Sequence, residues 1–173
     1  LKSNLKRFIS QFPIGILLIK KYSDIFASHK NNYCLVFNIK PYERKIFELI
    51  KESAQELGYP TYVVGGYVRD RLLARESKDM DIVCVGSGIK LAEQLSSKLR
   101  PIPRLTVFKR FGTAMIKHKD LEIEFVGARK ESYSQNSRKP AVEDGNLEDD
   151  QNRRDFTINA LAVSLNEEDF GDI

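Results

Sequence analysis

Two acidic pairs stand inside otherwise apolar segments. In Lys78-Asp79-Met80-Asp81-Ile82-Val83 the aspartates are one residue apart. In a strand that spacing sends both carboxylates to one face and Met80, Ile82 and Cys84 to the other. Neighbouring carboxylates repel, so both stay ionised only on a solvated face or beside a compensating cation. Magnesium suits the role, because it is a hard cation that takes carboxylate oxygens and keeps waters and substrate phosphates as its other ligands. The competing reading is an edge strand with a wet face. Leu121-Glu122-Ile123-Glu124-Phe125 repeats the pattern. If that strand lies beside the first, one glutamate would complete a three-carboxylate cluster able to hold two metals for in-line phosphoryl transfer. Glu122 is better explained as part of a solvated hairpin.

Two other segments suit an anion. Gly65-Gly66 leads directly into a helical pattern. Glycines let the backbone approach a ligand, and the first free N–H groups and the helix dipole favour negative charge. The alternative is a purely structural turn, since the spaced glycines of dinucleotide-binding folds are not present. Arg69 and Asp70 follow, either paired with each other or with Arg71 as surface charges, or orienting a phosphate site. Arg153-Arg154-Asp155-Phe156-Thr157-Ile158-Asn159 then concentrates two arginines, an acid and an amide. Arginine's fork fits phosphate or ribose oxygens, and Asp155 or Asn159 would bond a sugar hydroxyl. Helix capping by Asp155 beside a solvated basic turn is the plainer account.

The elements that must position these groups follow from periodicity and punctuation. Pro41 suits a first helical turn, Ile46, Ile50, Ala54 and Leu57 recur at helical spacing, and Gly58 supplies a stop. Thr61–Val64 predicts a buried strand, and Tyr67–Ala74 a short helix after the glycines. Asp79–Val85 predicts a strand, followed by a helix with Leu91, Leu95 and Leu99 on one side, ended by Pro101 and Pro103. Leu105–Arg110, Thr113–Lys117 and Leu121–Val126 predict three strands with tight connections. Glu131–Asp150 is polar and suits a loop. Asp155 is expected to cap a last helix through Leu161, ahead of a strand near Val163. Interleaved helices and strands imply an α+β fold, one mixed sheet with flanking helices.

Composition sets broad limits. The 173 residues are 42% apolar and 30% charged, ordinary for one globular domain, and the net charge of +4 permits a nucleic-acid partner without requiring one. Two cysteines, Cys34 and Cys84, and two scattered histidines, His29 and His118, provide neither a disulfide framework nor a zinc site, and a reducing, cytoplasmic setting is the default. The apolar stretch Phe12–Ile19 contains Pro13 and Gly15 and falls well short of the ~18–20 residues that span a bilayer. Lys20 and Lys21 close it where a signal peptide would have a cleavage site. Residues 1–40 form an expected N-terminal extension without recognisable chemistry, and 41–173 the functional domain. The initial Leu1 and the closing Phe170-Gly171-Asp172-Ile173, a strand in progress, suggest a fragment.

Four segments together, Gly65-Gly66-Tyr67-Val68-Arg69-Asp70-Arg71-Leu72-Leu73, Asp79-Met80-Asp81, Phe111-Gly112-Thr113-Ala114 and Arg153 through Leu161, resemble the head domain of the class II tRNA nucleotidyltransferases. That family comprises the bacterial and eukaryotic CCA-adding enzymes and the related bacterial poly(A) polymerases. The resemblance covers roughly Pro41–Ile173 and implies a polymerase-beta-like nucleotidyltransferase fold. It assigns metal binding to Asp79 and Asp81, with Glu124, five residues before Arg129, as the third acid. Glu122 does not match. It further implies nucleotide binding by Gly65, Gly66, Arg69, Arg154, Asp155 and Asn159, with two magnesium ions, ATP and CTP as nucleotides, and the 3′ hydroxyl of tRNA or another RNA as acceptor. Poly(A) synthesis, or an idle nucleotide- or RNA-binding fragment, is the alternative. The chain departs from the family at Ala74, where glycine is frequent, a change expected to alter only the turn. The family's base-reading Glu-Asp-x-x-Arg belongs to a neck domain beyond the head; Asp149–Arg153 mimics it loosely but belongs to the arginine segment. An isolated head is expected to bind nucleotide weakly and add CCA poorly.

Overall fold

The computed structural model describes residues 39–132 and 141–173. The expected N-terminal extension, with its apolar stretch, lies outside these residues except for Ile39 and Lys40.

Helix α1 (Pro41–Leu57) begins at Pro41, buries Ile46, Phe47, Ile50 and Ala54, and ends at Gly58, whose φ of 68° gives the left-handed stop. Strand β1 (Thr61–Val64) runs into helix α2 (Gly66–Leu72), and strand β2 (Asp79–Cys84) into helix α3 (Gly88–Lys98). The Ser87 side chain caps α3 by accepting the Lys90 N–H. Three strands then follow, β3 (Arg104–Phe108), β4 (Thr113–His118) and β5 (Leu121–Gly127), with a 3₁₀ turn at Lys109–Phe111 between the first two. Beyond them lie β6 (Arg129–Ser132), β7 (Ala141–Asp144), helix α4 (Leu147–Asn152) and β8 (Ala162–Ser164).

Six strands form one sheet in the order β3-β4-β5-β2-β1-β8, and β6 pairs with β7. The β2–β5 pair is parallel and the other pairs are antiparallel, so the sheet is mixed as expected. Alternation along the strands separates its two faces. Met80, Ile82, Ile116, Ile123 and Phe125 join Ile50, Leu91 and Leu95 from the helices in the main core. A smaller cluster on the other face contains Val64, Val83, Ala128 and Ala162, with Leu147 of α4 packed against it.

Four expectations need correction. The strand carrying Asp79 and Asp81 is not an edge but lies between β5 and β1. The polar Glu131–Asp150 stretch is not a simple loop where described, since it contains the last residues of β6, β7 and most of α4. Asn146 starts α4 by accepting the Asp149 N–H while Asp149 accepts the Asn146 N–H, a reciprocal cap that polar composition concealed. Nor does Asp155 cap a helix through Leu161: a single 3₁₀ turn, Thr157–Asn159, stands there. Phe156 and Ile158 are 66% and 44% exposed, so the segment has no apolar stripe with which to anchor a helix. Phe170–Ile173 forms a turn and its exit rather than a strand, although the Gly171 N–H donates to the Ser164 carbonyl.

Candidate active site

The interior position of β2 brings the acids together. Parallel pairing sets Asp79 opposite Glu122 and Asp81 opposite Glu124 on one face, while Met80 and Ile82 turn into the core. Glu122 is taken up in a cross-strand ion pair with Lys117, in keeping with the solvated-hairpin reading. Asp81 is half-buried, and burial raises its pKa; Arg154 opposes the shift and Asp79 adds to it. Desolvation also raises Glu124, with a further push from Asp81, against Arg129 and a hydrogen bond from the Thr113 hydroxyl. Asp79, Asp81 and Glu124 therefore form a patch of concentrated negative charge.

Among the described residues no three His, Cys, Asp or Glu side chains are gathered closely enough to hold a metal ion by themselves. The donor set nevertheless fits magnesium: it consists of carboxylate oxygens whose mutual repulsion a cation relieves, and magnesium draws its remaining ligands from water and phosphate.

The cationic side of the site is built around Gly65. This residue has φ of 74°, and its N–H donates to the Leu161 carbonyl at 3.0 Å, tying the end of β1 to the segment ahead of β8. A Cβ there would lie 3.3 Å from Asp81 Oδ2, 3.4 Å from Arg154 Nη1 and 3.8 Å from the Asn159 carbonyl oxygen. Glycine thus satisfies the backbone conformation and keeps open the space between acid and arginine. Gly66 is the first residue of α2, and Arg69, one turn on, donates to Asp70 at 2.9 and 3.1 Å and to Asn159 Oδ1 at 2.8 Å.

Arg154 is held from behind. The fully buried Asp150 accepts from Arg154 Nε at 3.0 Å and Nη2 at 2.8 Å, and through its other oxygen from Arg153 at 3.0 and 2.5 Å. Arg154 Nη1 is left facing the Asn159 carbonyl at 3.5 Å, on the side of Gly65 and Asp81. Asp79, Asp81, Glu124, Gly65, Gly66, Arg69, Arg154 and Asn159 are thereby linked through neighbouring strands, shared contacts or hydrogen bonds. Asp155 stands apart: it is exposed in the bend after α4 and, among the described residues, takes no part in the hydrogen bonds that join the others.

Residues 61–173 match the sequence profile of the poly A polymerase head domain. The chain belongs to that family. Its head domain is 46% identical over 110 residues to the A-adding tRNA nucleotidyltransferase of Aquifex aeolicus, a match covering 64% of this chain and 13% of the relative. The enzyme of the same name from Geobacter sulfurreducens is 44% identical over 117 residues, covering 67% and 13%. Among solved structures, a tRNA nucleotidyltransferase complexed with a primer tRNA and an incoming ATP analogue superposes with a TM-score of 0.60 at 41% identity, covering 70% of this chain and 32% of the other. A CCA-adding enzyme with ATP gives 0.64 at 34% identity, covering 77% and 29%. The chain thus spans 13% of the length of these two curated relatives.

Two buried acids of the head domain escaped the sequence reading. Asp150 was detectable from its spacing, since an acid three and four residues before two arginines shares their side of a helical turn. Glu43 was not. It is 1% exposed and accepts from Arg71 Nη2 at 2.6 Å, the Lys40 N–H at 2.9 Å and the Tyr67 hydroxyl at 3.4 Å. Arg71 is therefore no surface charge but a buried tie between α1 and α2, its guanidinium 5.0 Å from the Tyr67 ring centroid.

Proposed function

We propose that this chain is the catalytic head of a template-independent RNA nucleotidyltransferase that transfers CMP or AMP from CTP or ATP to the 3′ hydroxyl of tRNA, as in CCA addition. The observation that carries the reading is Asp81: beside Glu124 on an interior strand, with Gly65 and Arg154 at its flank. Three acids next to an arginine and a glycine turn suit a polyanion bound through a cation, whereas a module that only binds RNA gains nothing from acids facing phosphate.

Gly65, Gly66 and Arg154 take the triphosphate, the glycines by backbone approach and Arg154 through its inward Nη1. Arg69 holds Asn159 in place, and Asn159 offers its side-chain amide to the ribose. The 3′ oxygen attacks the α-phosphorus, the bond from that phosphorus to the α–β bridging oxygen breaks, pyrophosphate departs and the hydroxyl proton passes to water. Asp79, Asp81 and Glu124 would hold magnesium, two ions with nucleotide bound, which neutralises charge on the phosphoryl oxygens and lowers the pKa of the attacking hydroxyl.

AMP addition alone is a second reading, favoured by the A-adding enzymes at 46% and 44% identity. Poly(A) synthesis uses the same head chemistry with another RNA acceptor. The proposed tRNA substrate and the sparse cysteine content favour a cytoplasmic setting. Among the described residues no helix is long and apolar enough to cross a membrane.

The test is thermal stabilisation of the chain by ATP and by CTP, with and without magnesium, in wild type and Asp81→Asn. Magnesium-dependent stabilisation by both nucleotides, lost in the variant, is expected. Equal stabilisation of the variant, or none of the wild type, would overturn the reading.

A further inference from the structure

The acids divide the open face of the sheet. Toward β1 and β8 lie Gly65, Arg154 and Asn159, the side assigned to the triphosphate. In the other direction the face continues across β4 to the edge strand β3. Pairing sets Met115 beside Glu124, Thr106 beside Met115, and Phe108 beside Thr113. Thr113, two residues before Met115 on β4, immediately follows the turn that joins β3 to β4. The edge of this half is exposed, with Thr106 and Met115 partly exposed inside it and Thr113 buried: Phe108 is 40% exposed, Phe111 in the turn is 62% exposed, and Arg104, Lys109 and Arg110 are exposed. The Arg110 guanidinium lies 6.0 Å from the Phe111 ring centroid. From Arg104 to Lys117 the chain has four basic residues and no acidic one.

In-line displacement requires the attacking hydroxyl and the leaving pyrophosphate on opposite sides of the reacting phosphorus. With the triphosphate on the Gly65 and Arg154 side, the hydroxyl must enter over Glu124, across β4 and β3. We propose that Phe108 and Phe111, flanked by Arg104, Lys109 and Arg110, form the surface that receives the single-stranded 3′ end of the acceptor RNA. Exposed rings offer stacking platforms to unpaired bases, and the cations answer the phosphates, the combination that single-stranded nucleic acid requires. Charge sets the choice of partner, because an acid-free basic edge leading toward a cluster of carboxylates draws a polyanion to the edge and leaves its terminal hydroxyl to reach the acids. The inference rests on the nucleotidyltransferase reading, since it takes the side of entry from where the triphosphate binds.

The test is amide chemical-shift mapping on the ¹⁵N-labelled chain, titrated separately with magnesium ATP and with a short single-stranded oligocytidylate bearing a free 3′ hydroxyl. The oligonucleotide is expected to shift Phe108 through Gly112 and Met115, with affinity falling as salt is raised. Phe108→Ala combined with Phe111→Ala is expected to weaken the oligonucleotide at least about fivefold while leaving the ATP-induced shifts of Gly65, Gly66 and Arg69 intact. Both rings are exposed, so the substitutions leave the core untouched. Oligonucleotide shifts elsewhere on the chain, none at all, or an affinity indifferent to the double substitution would overturn the inference while ATP still marks Gly65 and Gly66. Loss of the ATP shifts in wild type would instead overturn the nucleotide site, and the inference with it.

Discussion

Replacing Glu43 by alanine isolates the pair that ties α1 to α2. Its carboxylate is 1% exposed and meets a guanidinium that is 7% exposed, with further bonds from the Lys40 N–H and the Tyr67 hydroxyl. Arg71 Nε, also buried, makes no hydrogen bond. The alanine variant would therefore leave a buried cation beside Tyr67, its ring and its hydroxyl, in place of a carboxylate. Removing one partner of a buried ion pair costs about 3–5 kcal/mol. At about 2–4 °C per kcal/mol for a chain of this size, the melting temperature should fall by about 6–20 °C. Replacing both partners, Glu43→Leu with Arg71→Met, removes the stranded charge and should recover most of that loss. Scanning calorimetry of wild type, single and double variants measures all three. A loss below about 1 kcal/mol in Glu43→Ala, or a double variant no more stable than the single, would refute the claim that uncompensated charge dominates.

Other perturbations address the site more directly. Asp150→Asn should weaken ATP about tenfold or more by releasing Arg154 from its charge-assisted bonds, and adding Arg154→Ala should cost little further, as measured by titration calorimetry. Ala74 has φ of 54°, a left-handed conformation costly for any residue with a Cβ, so Ala74→Gly should stabilise the chain by about 0.5–1 kcal/mol in urea unfolding. Burial and Asp79 raise the pKa of Asp81 against the pull of Arg154. A carboxyl whose folded pKa exceeds its unfolded value subtracts stability as pH rises through the folded value, but not below the unfolded value of about 4. Asp81→Asn should therefore melt above wild type at pH 7 and lose that advantage below about pH 4, as thermal melts across pH would reveal.

Local signals foretold much of the fold. Pro41 and Gly58 bracket α1 as expected, and alternation in β2 and β5 is enough to place Asp81 and Glu124 on the polar faces of their strands. What period-2 spacing could not reveal was that β5 lies parallel to β2 rather than elsewhere in the sheet, because strand order is a tertiary outcome. Arg71 was obscure for a similar reason: its partner Glu43 lies on another helix, and a charged triplet such as Arg69-Asp70-Arg71 gives no sign of which member turns inward. The segment after Asp155 misled through a real local preference, since aspartate does cap helices, but Phe156 and Ile158 had no core to meet. Asn146 and Asp149 carried the working cap a few residues earlier.

The parallel pairing of β2 with β5 also determines when the site can exist. Asp81 and Glu124 belong to strands separated in the chain by α3 and the β3–β4 hairpin, so no hairpin or helix formed locally brings them together. A chain still emerging, or one partly unfolded from the β5 side, would carry isolated aspartates on a strand without their neighbour. The acid cluster thus registers the closing of the β2–β5 pair, and a nucleotide bound through it would favour states in which that pair is made over those in which it is not.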